Sequence, residues 1–145
     1  MNDQQIEQEI QAKGLTAPRV TPGDIEAEIV AEVYFTAGEA ASAGIFNDSN
    51  NAHASRMDAD ADLRPLDLVT FCVLVLRNGF TVTGESACAS PENFDAELGR
   101  KIARQNAVAK IWPLLGFRLR DQLARPVLTE AAAAADLAGT PRPAA

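Results

Sequence analysis

The stretch LVTFCVLVLRNGFTVTGESACASPENFD, Leu68 to Asp95, spells a strand, a tight turn, a second strand and a helix start without a gap. Leu68 to Leu76 is a near-continuous β-branched and aromatic run, and Phe80 to Gly84 resumes that character after Asn78-Gly79, the dipeptide that tolerates the positive φ values of a type I′ turn. A two-residue turn sets Arg77 opposite Phe80, Val75 opposite Val82, Val73 opposite Gly84 and Phe71 opposite Ser86. In that register one hairpin face is apolar, while the other carries Leu76, Leu74 and Cys72 beside Thr81, Thr83 and Glu85. Only the first strand is apolar on both sides, so it belongs inside a sheet. A lone hairpin is marginal in water, so a further strand, a packed helix or a second copy must cover it. Ser90-Pro91-Glu92 then reads as a helix start, with a capping oxygen, a proline at the first turn and an acid at the positive helix end.

Working outward, the helix from Pro91 places Phe94, Leu98, Ile102, Val108, Ile111 and Trp112 toward the core until Pro113 interrupts it, and Leu115, Leu119 and Leu123 stripe a second helix. Upstream, Thr21-Pro22-Gly23-Asp24 followed by Ile25, Ile29 and Val33 predicts a helix from Asp24 to about Val33, with Tyr34 and Phe35 at its end. Ile6 and Ile10 suggest a short helix within residues 1–20. Gly38 to Pro65 is rich in small and polar residues and reads as a mobile loop, and residues 125–145, with five consecutive alanines and then prolines, read as a disordered tail. The expectation is one α+β domain over 21–124: an antiparallel sheet centred on the hairpin, packed by two C-terminal helices and an N-terminal helix, and self-associating.

No charged and then apolar leader opens the chain and no apolar run approaches the roughly 20 residues that span a bilayer, a pattern expected of a soluble cytoplasmic protein with no membrane contact. Cys72 and Cys88 fall out of line in the predicted register and are expected as free thiols. Six bases and no acid lie between Leu98 and Arg120, leaving −13 on the rest of a chain whose net charge is −7. An acidic body with one basic helix disfavours non-specific duplex DNA, which requires a wide basic surface, and suits a small anion.

Walker, GxGxxG, GxSxG and HExxH signatures are missing, and a dyad of Cys88 with the single histidine, His53, would need a loop to hold its base. Asp58, Asp60 and Asp62 alternate like metal-loop oxygens but lack the glycine and terminal glutamate of an EF-hand. No enzyme, metal or cofactor is expected. Arg100 and Arg104, at i, i+4 with Lys101 beside them, can present cationic donors to a phosphate. Glu97 lies three residues before Arg100 and four before Lys101, so surface ion pairing is the competing use of these charges. Phe80, Tyr34 and Phe35 offer rings for a base.

The pattern RNGFTVTGESACASPENFDAELGRKIA…NAVAKIWPLLGF resembles a family of small phage and prophage proteins named after gene 49 of phage N-four and gene 66 of phage Sf-six. Asn78-Gly79-Phe80, Gly84, Ser86, Cys88, Pro91, Asn93, Phe94, Asp95, Gly99, Trp112 and Gly116 carry it over roughly Leu66 to Leu123, with weaker similarity from Val20 to Phe35. The same pattern is similar to that of the type-one Thoeris anti-defence proteins, sponges for the cyclic ADP-ribose signal of bacterial TIR proteins. That resemblance implies sequestration without catalysis in the host cytoplasm, by a symmetric oligomer with pockets at its subunit interfaces. On this reading Arg100, Lys101 and Arg104 hold phosphates of a small anionic nucleotide while Asn78, Phe80 and Asn93 meet its base or ribose. The Gly38 to Pro65 loop departs from the compact sponges. A protein-interaction factor that docks a host protein and binds no small molecule is the alternative.

Overall fold

Leu76 donates its backbone N–H to the carbonyl of Phe80 at 2.8 Å, and Gly79 donates to the carbonyl of Leu76 at 2.9 Å. The hairpin therefore closes through three residues, Arg77, Asn78 and Gly79, and not through two. Of these three residues only Gly79 takes a positive φ, +85°, which marks a type I turn followed by a left-handed glycine and excludes the predicted type I′ turn. The Asn78 side chain accepts from Phe80 N–H at 2.9 Å and so stiffens the tip. This one-residue slip sets Leu74 opposite Val82, Cys72 opposite Gly84 and Phe71 opposite Glu85. Because side chains alternate along a strand, it also exchanges the faces: Cys72, Leu74 and Leu76 join Val82 in the core, while Phe71, Val73 and Val75 lie beside Thr81, Thr83 and Glu85.

The computed structural model describes residues 2–43, 63–125 and 129–143. Helix α1 (Asp3–Ala12) precedes α2 (Pro22–Glu28), strand β1 (Ile29–Thr36) and the short α3 (Ala37–Ser42). A 3-10 turn, Arg64–Leu68, leads into β2 (Val69–Leu76) and β3 (Thr81–Ala87); a second, Pro91–Asn93, leads into α4 (Ala96–Ala124), and α5 (Glu130–Ala138) closes the series. The three strands form one antiparallel sheet in the order β1-β2-β3, with α4 packed along β3 and β2. The fold is α+β, as the hairpin implied. Most of the predicted 38–65 loop, along with His53, Asp58, Asp60 and Asp62, lies outside the described residues; within its described part Gly38 to Ser42 is helical and Arg64-Pro65 opens the 3-10 turn. In the predicted tail the alanine run forms α5, capped by Thr129.

Three elements differ from expectation for identifiable reasons. The helix begun by the reciprocal Thr21–Asp24 capping box stops at Glu28 and does not reach Val33. The following IVAEVYFT is β-branched and aromatic and supplies the second neighbour that β2, apolar on both sides, requires. The helix expected at Pro91 starts five residues later, because Asp95, not Ser90, accepts the orphan amide of Leu98, at 2.9 Å.

Pro113 does not end α4. The helix continues through it for 29 residues, so the two predicted C-terminal helices are one. The core stripe is also displaced: Gly99, Ala103, Ala107, Ile111 and Leu115 are buried, whereas Leu98 and Ile102 are exposed and Phe94, Val108 and Trp112 are half-buried. Small residues face the sheet because the helix lies nearly backbone to backbone on β3. A Cβ added to Gly84 would stand 2.1 Å from the Ala103 carbonyl oxygen. With Leu98 or Ile102 on that line the helix would be lifted from the sheet.

Candidate functional site

Along α4 the residues one quarter-turn from the core stripe on the β1 side are Arg104, Val108 and Trp112. There the helix meets the start of α2 and the N-terminus of α1, and the three enclose a cavity of about 890 Å³. Ile25, Val108 and Trp112 form its apolar part, while Lys101 and Arg104 bring positive charge to it and Asp3 and Glu26 negative charge. Trp112 donates its indole N–H to Asp3 Oδ2 at 3.1 Å, which joins α1 to the helix. Bidentate pairing of Arg19 with Glu7, one turn further along the same face of α1, fastens the helix again and holds the Glu7 carboxyl below the usual carboxylate range.

Arg104 is the electrostatic centre of this region. Its Nε and Nη2 donate to Glu32 Oε1 at 2.9 and 2.7 Å, and its Nη1 and Nη2 donate to Glu26 at 3.1 and 2.8 Å. Those bonds draw the arginine pKa further up and pull the Glu32 carboxyl down against the opposing effect of burial. Tyr34 donates its hydroxyl to the second Glu32 oxygen at 2.9 Å, and its pKa is pushed up to about 12, first by burial and then by that carboxylate. Four of the five guanidinium N–H groups are thereby engaged, and among the described residues the second Nη1 hydrogen has no acceptor.

A second cluster lies at the other end of α4. Glu28, 3% exposed, accepts from Arg118 Nη1 and Nη2 at 3.0 and 2.9 Å and from Arg77 Nη2 at 3.5 Å. This ties α2, the hairpin tip and the helix together. Since Arg77 precedes Asn78 and Phe80, the tip sits level with Arg118, about 21 Å along the axis from Arg104.

The six residues singled out by sequence are therefore not gathered in one place. Arg104 and Lys101 share the cavity; Lys101 also pairs with Glu97 at 2.9 Å, the competing use foreseen for it. Arg100 is exposed on α4 and Asn93 is exposed in the 3-10 turn before it, neither lining this cavity. Asn78 and Phe80 occupy the hairpin tip, and within one chain they do not meet the cations of the cavity. Trp112 and Glu26 line the cavity and Glu32 pairs with Arg104, and the sequence reading assigned none of the three to a site. The signal for the acids was present in the charge asymmetry: EAEIVAE, Glu26 to Glu32, is the acidic counterpart of the basic helix, and long-range pairing was its natural use.

Cys72 and Cys88 are free thiols, and Cys88 Sγ lies 3.1 Å from the Ser90 carbonyl. Among the described residues no cluster of His, Cys, Asp or Glu has the make-up of a metal site, and no helix is long and apolar enough to cross a membrane.

No curated protein and no solved structure matches the chain. A family pattern does, and it covers the sheet, α2 and nearly all of α4, though not α1: over residues 20–123 the chain belongs to the phage protein (N4 Gp49/phage Sf6 gene 66) family.

Proposed function

We propose that this phage or prophage accessory protein captures a small anionic nucleotide, of the cyclic ADP-ribose type, in the cavity between α1, α2 and α4, and does so without catalysis. The observation that carries the reading is the meeting of Lys101, Arg104 and the chain's single tryptophan at one cavity within one chain. Its volume falls in the range of small-molecule sites. Trp112 and Val108 supply an apolar wall for a base, and the Lys101 ammonium with the second Nη1 hydrogen of Arg104 supplies donors for a phosphate. Arg104 is held in place by Glu26 and Glu32, so it acts as a pre-positioned donor and Lys101, exposed and paired only with Glu97 of its own helix among the described residues, as the adaptable one. Withdrawal of a signal from an effector requires affinity and no bond-breaking.

Because Trp112 is the sole tryptophan, its fluorescence reports this cavity directly. Titration with cyclic ADP-ribose and other cyclic adenosine nucleotides, beside calorimetry, is expected to change the emission with saturation and to release heat. Lys101→Glu should weaken binding by about tenfold or more, the equivalent of about 1.4 kcal/mol. If no nucleotide gives heat or alters the emission, the sequestration reading falls and the interaction-factor alternative takes its place.

A further inference from the structure

Helix α1 carries no buried residue, although Asn2, Asp3 and Gln4 at its start form one wall of the cavity. Its apolar side chains do not close onto the body either. Ile6 is 43% exposed, and a second cavity, of about 270 Å³, lies between Ile6 and Ile10 on the helix and Val20, Pro22 and Trp112 beneath it. Elements that share a close-packed core rarely leave a void of that size between them. Among the described residues α1 is held down by polar ties instead: the Trp112 indole N–H on Asp3, and the paired bonds of Arg19 to Glu7. Two such ties hold a helix less firmly than a shared apolar core does.

The connection after α1 is built to bend. Gly14 follows the helix at φ +65°, with nothing within 4 Å of where a side chain would begin. Lys13 to Pro18 are all exposed, and the chain first packs on the core at Val20. The stretch from Gly14 to Val20 reaches about 20 Å when extended, enough to carry a helix about 10 Å wide clear of the groove it covers. The family pattern starts at residue 20, beyond this connection.

We infer that α1 is a lid on the cavity: it swings off the body about Gly14 as a unit when the Glu7–Arg19 and Asp3–Trp112 latches part, and it returns to enclose what has entered. With the lid away, the cavity is an open groove between α2 and α4 and one side of Trp112 meets water. With the lid back, Asn2, Asp3 and Gln4 close the third side. Charge favours the return, since Asp3, Glu7 and Glu9 make α1 acidic and Lys101 and Arg104 stand on the far wall of the cavity. Lids belong to the least stable part of a structure and open without global unfolding. Opening and closing need no particular ligand, so none is used to test them.

Acrylamide quenching of Trp112, the sole tryptophan, reads the lid in the full chain. Glu7→Ala and Arg19→Ala cut one latch without altering the cavity of α1, α2 and α4, which neither residue lines. Combined, they should raise the quenching constant about twofold, because the indole loses its cover on one side, while the cooperative melt of the body keeps its midpoint. Lys13→Ala, which removes only a pair within α1, should quench as the wild type does. Hydrogen exchange of the wild type should show the amides of Glu7 to Lys13 sharing one opening, with protection far below that of β2 and α4. Unchanged quenching in the double variant, an equal rise in Lys13→Ala, a body that melts earlier once the latch is cut, or α1 amides as slow as those of β2 would each overturn the proposal.

Discussion

Gly84 and Ala103 are held so close that a single methyl group cannot come between strand and helix: a Cβ at Gly84 would lie 2.1 Å from the Ala103 carbonyl oxygen and 2.3 Å from the Ala107 nitrogen. Both obstacles are helix backbone, which cannot rotate aside as a side chain can. Gly84→Ala should therefore force α4 away from β3 and destabilise the fold by about 1 to 3 kcal/mol or more. Urea denaturation of the two proteins measures this. An unchanged midpoint would show that the helix does not sit this close.

At Gly79 the obstacle is conformational rather than steric contact. Nothing lies within 4 Å of an added Cβ there, but φ is +85°. Gly79→Val should cost about 1 to 2 kcal/mol through the left-handed backbone alone, and Gly79→Asn distinctly less, because asparagine tolerates that region. Thermal melts that rank valine and asparagine equally would contradict the three-residue turn.

Glu28 gives the protein a defined acid sensitivity. Paired bonds from Arg118, with Arg77 nearby, hold its carboxyl below the usual carboxylate range despite the upward push of burial. A carboxyl depressed in the folded state contributes stability above its unfolded pKa of about 4.3, and that contribution is lost as the pH falls through the folded value. Glu28→Gln should thus be less stable than wild type by about 1.5 to 3 kcal/mol at neutral pH. The gap should narrow below about pH 4. Urea midpoints of both proteins across a pH series would show it, and a gap that widens in acid would reverse the assignment.

Pro113 lies within a continuous helix, where it lacks the N–H that Ala109 would otherwise receive, and its own position is exposed. Pro113→Ala should leave the helical content unchanged or slightly raised and stabilise the fold by about 1 to 3 kcal/mol. Were Pro113 the boundary between two helices, the same substitution would alter how they pack and lower the stability. Circular dichroism with denaturant melts separates the outcomes.

Much of this fold was legible in the chain because its determinants are local. Thr21 and Asp24 satisfy each other's backbone amides whatever lies elsewhere, and the run from Val69 to Leu76 favours a strand by its side chains alone. Asn78-Gly79 marked the turn for the same reason. Turn length was decided by longer reach. A two-residue and a three-residue loop suit the same dipeptide, and the choice between them followed from burying Leu74 and Leu76 together with Val82 under α4.

Tertiary packing also overruled two local signals. Ile29 and Val33 continue a helical spacing, yet they pair with β2, whose second edge had to be filled. Leu98 and Ile102 are larger and more apolar than their neighbours in the first turns of α4, yet Gly99, Ala103 and Ala107 face the sheet because only small residues permit the approach that Gly84 allows. For the site, local sequence identified the cations on α4, and only the fold assigned their partners. Glu97, four residues away, reaches Lys101, whereas Glu26 and Glu32 reach Arg104 across more than 70 residues of chain. An ion pair within a helix is set by periodicity. One between elements is set by which faces the hydrophobic core has already brought together.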